Sequence, residues 1–140
     1  MRILLINWRD STHPWAGGAE VFLREVARRW VKQGHSVTWL CGRHSCQAAD
    51  GEVDGIHVIR RGNTYSVYLQ AAWFYLSHLR SQYDVILDSS NGIPFFTPLF
   101  SRIPKVVLVH HVHRQVLFRE LPWYQAHLVN FLESACVPWV

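Results

Sequence analysis

Two adjacent glycines, three closely spaced histidines and two short polar clusters are the residues of this chain suited to chemistry. Gly17 and Gly18 stand where a loop gives way to a helix. Without Cβ atoms the backbone lets a ligand come close. The N–H groups of the first helical turn and the helix dipole then favour a phosphate. A plain tight turn would use the same pair. Neither the dinucleotide pattern G-x-G-x-x-G nor the phosphate-loop pattern G-x-x-x-x-G-K-[ST] is present. His110, His111 and His113 follow an apolar run, and a neutral imidazole can orient or polarise a hydroxyl at neutral pH. As a zinc site, H-H-x-H lacks a nearby carboxylate or cysteine ligand, so no metal is expected. Asp88, Ser89, Ser90 and Asn91 suit hydrogen bonds to ligand hydroxyls, or equally an Asx turn and a helix cap. Asp10, Ser11 and His13 precede the glycines, to touch a ligand or to solvate a loop. Arg114 and Arg119 can meet an anion or remain a solvated face.

These residues need a scaffold, and the pattern supplies one. Residues 2–7 carry the uninterrupted run Ile3-Leu4-Leu5-Ile6, as a strand covered on both faces requires. Residues 19–33 read as a helix, with Phe22, Leu23, Val26, Ala27, Trp30 and Val31 at helical spacing and Gly34 as the stop. Residues 35–41 form the second strand, 42–55 a polar loop and 56–60 a third strand. A helix is predicted over 66–82, a fourth strand over 84–88 and a fifth over 105–110. Between these strands lie turn residues and a short helix, opened by Gly92 and Pro94 and running through Phe100. A last helix is predicted over 123–136, with Pro138 ending or kinking it. Strands separated by helices give an α/β fold with a doubly wound, mainly parallel sheet. Ligands then bind beyond the carboxyl ends of the strands, where the segments 8–20, 88–92 and 110–114 fall.

Composition agrees with one folded domain. The chain has 140 residues, 49% hydrophobic and 17% charged, enough to bury a core and too apolar for a disordered chain. No apolar run is long enough to span a bilayer. Three cysteines without metal-ligand spacing read as reduced thiols in a cytoplasmic setting. A net charge of +4 suits an anionic ligand or lipid surface and is too mild to demand nucleic acid. The stretches 73–75 and 93–100 are more apolar than one buried face needs, which fits core packing or contact with a membrane surface.

Four elements in order carry a resemblance. Gly17-Gly18-Ala19-Glu20 follows the first strand, Gly34-His35-Ser36-Val37-Thr38 opens the second, Tyr83-Asp84-Val85-Ile86 begins the fourth, and Val109-His110 ends the fifth. Together they resemble the N-terminal domain of family 4 glycosyltransferases, over residues 1 to about 113. The resemblance implies the Rossmann-like N-terminal half of a GT-B enzyme. It also implies retaining transfer of a sugar from a nucleotide-sugar donor to a hydroxyl acceptor in an interdomain cleft. Gly17 and Gly18 would approach the donor diphosphate. His110 matches the histidine facing the reacting groups, with His111 and His113 as rivals. Asp10, His13, Asp88, Asn91 and His113 become candidate contacts to a sugar or lipid-linked acceptor. The donor would sit on a C-terminal domain absent from these 140 residues, so weak or no turnover is expected from them alone. The nucleotide sugar is a co-substrate and no cofactor or metal is implied. The expected location is cytoplasmic, with peripheral attachment to the inner face of a membrane as an alternative. The competing reading is a non-catalytic doubly wound module that binds a small anion or a protein. A flavodoxin-like cofactor domain would need a Ser/Thr-rich phosphate loop after the first strand, which is lacking.

Overall fold

The structure is a computed structural model that describes residues 1–91, 93–110 and 123–124. Six strands form one sheet: β1 (Arg2–Ile6), β2 (Ser36–Cys41), β3 (Asp50–Val53), β4 (Ile56–Arg60), β5 (Val85–Ser90) and β6 (Lys105–Val109). Their order is β3-β4-β2-β1-β5-β6. All neighbours are parallel except β3, which pairs antiparallel with β4. The chain therefore builds outward from β1 in one direction, then crosses to its other side with β5. That reversal opens a crevice between the carboxyl ends of β1 and β5.

The apolar run of β1 divides its side chains between two faces because alternate residues of a strand point opposite ways. Ile3 and Leu5 pack with Val37, Trp39, Val58 and Leu87 under Leu23 and Ala27 of helix α1 (Gly18–Lys32). Leu4 and Ile6 pack on the other side with Leu40, Ile59 and Ile86 under Val67 and Ala71 of helix α2 (Val67–Phe74). α1 ends as its sequence demands. Gly34 takes φ +85, Gly34 N–H donates to the Val31 carbonyl at 2.9 Å and His35 N–H to that of Trp30 at 3.0 Å. These are the two bonds of a Schellman stop.

Four expectations are corrected. The polar segment 42–55 contains β3, whose residues Asp-Gly-Glu-Val lack apolar alternation because the strand lies at the sheet margin. Ser89 and Ser90 are not turn residues: they prolong β5, paired with Leu108 and Val109 of β6. The helix over 66–82 is α only to Phe74, then widens into a π-helical stretch over Tyr75–Leu79. The short helix before β6 is a single 3-10 turn, Thr97–Leu99. In the apolar stretches Tyr75 and Phe95 join the core, while Trp73 and Leu99 stay exposed. Trp123 and Tyr124 are helical, and the remainder of the helix predicted over 123–136 lies outside the described residues. No helix among the described residues is long and apolar enough to cross a membrane.

Candidate functional site

The loop after β1 is folded around a buried ion pair. Asp10 is almost fully buried, and its Oδ2 accepts from Arg60 Nε at the end of β4. Oδ1 accepts from the backbone N–H and the hydroxyl of Thr12, both at 2.6 Å. Gln47 adds a bond to Oδ2 at 3.3 Å. Burial pushes the Asp10 carboxyl up, but the hydrogen bonds and charge supplied by Arg60 and Thr12 prevail and hold it below its ordinary value. The same burial, with Asp10 beside it, pushes the Cys41 thiol well up. Cys41 and Cys46 are free thiols, and Cys136 lies outside the described residues.

His13 is also buried. Its Nδ1 accepts the backbone N–H of Trp15 at 3.1 Å, and its ring packs against Trp15 and His44. Burial, reinforced by the charge of Arg9, lowers its pKa, so it is neutral at pH 7. Asp10 and His13 thus shape the loop: the carboxylate of the first and Nδ1 of the second are already engaged within the protein. Asp88 is turned inward as well. It accepts the Thr97 hydroxyl at 2.9 Å, and burial raises its pKa. Asn91, half-buried, follows β5 in an isolated bridge with Ile93. His111, His113, Arg114 and Arg119 lie outside the described residues.

The glycine turn stays open. Gly17 is the N-cap of α1 with φ −125, and Gly18 is the first helical residue. Neither is among the residues with positive φ. A Cβ at Gly18 would meet nothing within 4 Å, and one at Gly17 only ordinary contacts at 3.7 and 3.8 Å. Neither the backbone conformation nor the protein's own packing demands glycine here. The Gly17 N–H is already used: it donates to Glu20 Oε2 at 2.7 Å. The N–H groups of Gly18, Ala19 and Glu20 open the helix, ahead of any i−4 carbonyl within it. Gly17 therefore contributes space, and the next residues contribute donors.

Glu20 is fully buried behind this turn. Its Oε1 receives Asn7 Nδ2 at 3.3 Å and lies 3.2 Å from Arg9 Nε, an ion-pair distance without hydrogen-bond alignment. Arg9 also covers the Trp8 ring at 4.1 Å. From Asn7 the bonding continues across the crevice. Ser89 Oγ donates to Asn7 Oδ1 at 3.2 Å, and His110 Nε2 lies 3.0 Å from the same Oγ. The His110 ring meets Phe22 of α1 edge-on at 6.1 Å. One polar chain thus joins the start of α1 to the ends of β1, β5 and β6, and brings His110 and the glycine turn to one end of the sheet. Sequence reasoning missed Asn7, Arg9 and Arg60, and Ser89 as a partner of His110. The available signal was a polar residue closing an apolar strand, as Asn7 and Arg60 both do.

Comparison with known proteins places the chain. A family model described as Glycosyltransferase Family 4 matches residues 16–139, and the chain belongs to that family. The fold matches the sucrose-phosphate synthase of Thermosynechococcus elongatus with a TM-score of 0.67 at 15% identity, over 96% of this chain and 39% of that one. This chain therefore spans well under half the length of that synthase. No curated protein matches significantly.

Proposed function

We propose that this glycosyltransferase domain forms the acceptor-side wall of a cleft in which a sugar passes, with retention, from a nucleotide-sugar donor to a hydroxyl. A second Rossmann-like domain, C-terminal to this one, carries the donor. The observation behind this reading is the open Gly17–Gly18 turn at the switch-point end of the sheet, where glycine has no internal reason to be. Such a turn admits a diphosphate to the positive end of α1. The first-turn N–H groups there, which precede any carbonyl acceptor within the helix, stabilise the charge that grows on the leaving group. The Arg9 guanidinium, 3.2 Å from the Glu20 carboxylate, offsets the negative charge that would otherwise repel that anion. Backbone donors and dipole perform this work without a divalent ion. His110 faces the reacting sugar and the acceptor hydroxyl. Asn91 and His113 remain proposed acceptor contacts. Asp10, His13 and Asp88 support the walls instead.

The test is transfer from a panel of nucleotide sugars to a panel of sugar and lipid-linked acceptors, by this chain alone and joined to its donor domain. Turnover by the joined form, little by the chain alone and loss in His110→Ala are expected. Binding of small anions without turnover in either form would favour a non-catalytic module. Full turnover by the chain alone would overturn the two-domain reading.

A further inference from the structure

We propose that Asn7 and Ser89 are positioning residues that fix the tautomer of His110, holding a proton on Nε2 and leaving Nδ1 as the nitrogen that gains and loses one. The argument is proton counting along one chain of hydrogen bonds. Asn7 Nδ2 lies 2.8 Å from the Arg9 carbonyl and 3.3 Å from a Glu20 carboxylate oxygen. Both neighbours only accept, so this end of the side chain must be the NH₂ group. The other end, Oδ1, is then an acceptor with no proton of its own. Ser89 Oγ stands 3.2 Å from it and must donate. A serine hydroxyl has a single proton, and that proton is now used. Towards His110 Nε2, at 3.0 Å, Ser89 can only accept. Nε2 must therefore carry hydrogen.

Burial makes the order strict. Asn7, Glu20 and Ser89 are each at most 1% exposed, so water does not readily offer them other partners, and a reversed bond would set two acceptors face to face. The order originates at the Arg9 carbonyl and at the carboxyl group of Glu20, the fourth residue of the Gly-Gly-x-Glu element, and ends on an imidazole ninety residues from Glu20 in sequence. The inference concerns the ring itself. Its bearing on transfer rests on the reading that His110 faces the reacting hydroxyl. In that setting an imidazole with the wrong nitrogen protonated would present a donor where an acceptor is needed.

The experiment is a long-range proton–nitrogen NMR spectrum of the ¹⁵N-labelled chain near pH 7.5. His110 is assigned by the signals lost in His110→Gln. A protonated Nε2 and an unprotonated Nδ1 are expected, with only Nδ1 changing strongly as pH falls. Ser89→Ala should lower the preference by roughly fivefold, the worth of one ordinary hydrogen bond, and Ser89→Thr should keep it. A wild-type ring protonated on Nδ1, or a tautomer unchanged in Ser89→Ala, would overturn the proposal. The wild-type spectrum decides even if Ser89→Ala fails to fold. In the joined enzyme Ser89→Ala should reduce kcat with little change in KM for the donor. The expected tautomer without any glycosyl transfer would remove the functional reading and leave this inference standing.

Discussion

Replacing Gly18 with alanine should raise stability while lowering activity. Gly18 is exposed, helical and faces open space at the position a Cβ would take. Alanine in a helix is favoured over glycine by up to about 1 kcal/mol, and the first helical position should recover roughly half of that. On the proposed function, the same methyl would occupy the space through which a diphosphate oxygen reaches the first-turn N–H groups. Weakening one or two charge-assisted hydrogen bonds, each worth about 1.5–3 kcal/mol, lowers kcat/KM by about tenfold or more. Gly42→Ala is the control. Its Cβ would lie 2.7 Å from the Trp8 carbonyl oxygen, an overpacking that costs about 1–3 kcal/mol. Urea midpoints of the chain and nucleotide-sugar turnover of the form joined to its donor domain should therefore move oppositely: Gly18→Ala more stable and less active, Gly42→Ala less stable with activity per folded molecule little changed. Unaltered kcat/KM in Gly18→Ala would refute the idea that the turn is open for a ligand. A loss of more than about 1 kcal/mol in that variant would refute the packing argument.

Asp10→Asn should destabilise the fold by about 3–5 kcal/mol in denaturant titrations, because it leaves Arg60 buried opposite a neutral amide. Asp10 titrates below its ordinary value in the folded chain, so its stabilisation is complete above about pH 4 and fades as pH drops through the folded value. The acid limb of a stability–pH curve should be shallower in the variant. His13 adds a second limb: its lowered pKa means the unfolded chain takes up the proton first, so stability falls as pH drops below about 6.5. His13→Asn should flatten that stretch. Tyr68 is pushed up to about 12 by burial, helped by the negative charge of Asp88. The unfolded chain therefore releases this proton first above pH 10, and Tyr68→Phe should blunt alkaline unfolding followed by tyrosinate absorbance. Leu23→Ala, in the core beneath α1, should cost about 2–5 kcal/mol with no specific effect on turnover.

Much of the scaffold is legible in the residues themselves. Ile3-Leu4-Leu5-Ile6 reads as a strand buried on both faces and Gly34 after an amphipathic stretch as a helix stop, and the structure shows both. β4 is observed over the residues expected, Ile56–Arg60. β3 was illegible because pairing with β4, rather than burial of its side chains, makes it a strand. Ser89 and Ser90 look like a turn because hydroxyls favour turns, yet pairing with β6 prolongs β5 through them. The glycines and His110, which the fold brings to one end of the sheet, stand out by type and order in the sequence. Asp10, His13 and Asp88 looked like ligand contacts because polar loop residues resemble one another in sequence. The placement of Arg60, Trp15 and Thr97 shows which internal bonds each makes: Asp10 Oδ2 to Arg60, His13 Nδ1 to Trp15 and Asp88 Oδ2 to Thr97. The Asn7–Ser89 link joins residues 82 apart, and no local pattern signals it.

The short margin strand β3 has a bearing on life at high concentration. A flat, apolar outer strand would be a template for other chains, each adding its own backbone to the ladder. β3 offers only four residues, with Asp50 and Glu52 among them and a glycine between. An incoming strand would find two carboxylates and little greasy surface to hold it. On this flank, fibre-like growth of the sheet from molecule to molecule is discouraged by the very residues that hid the strand.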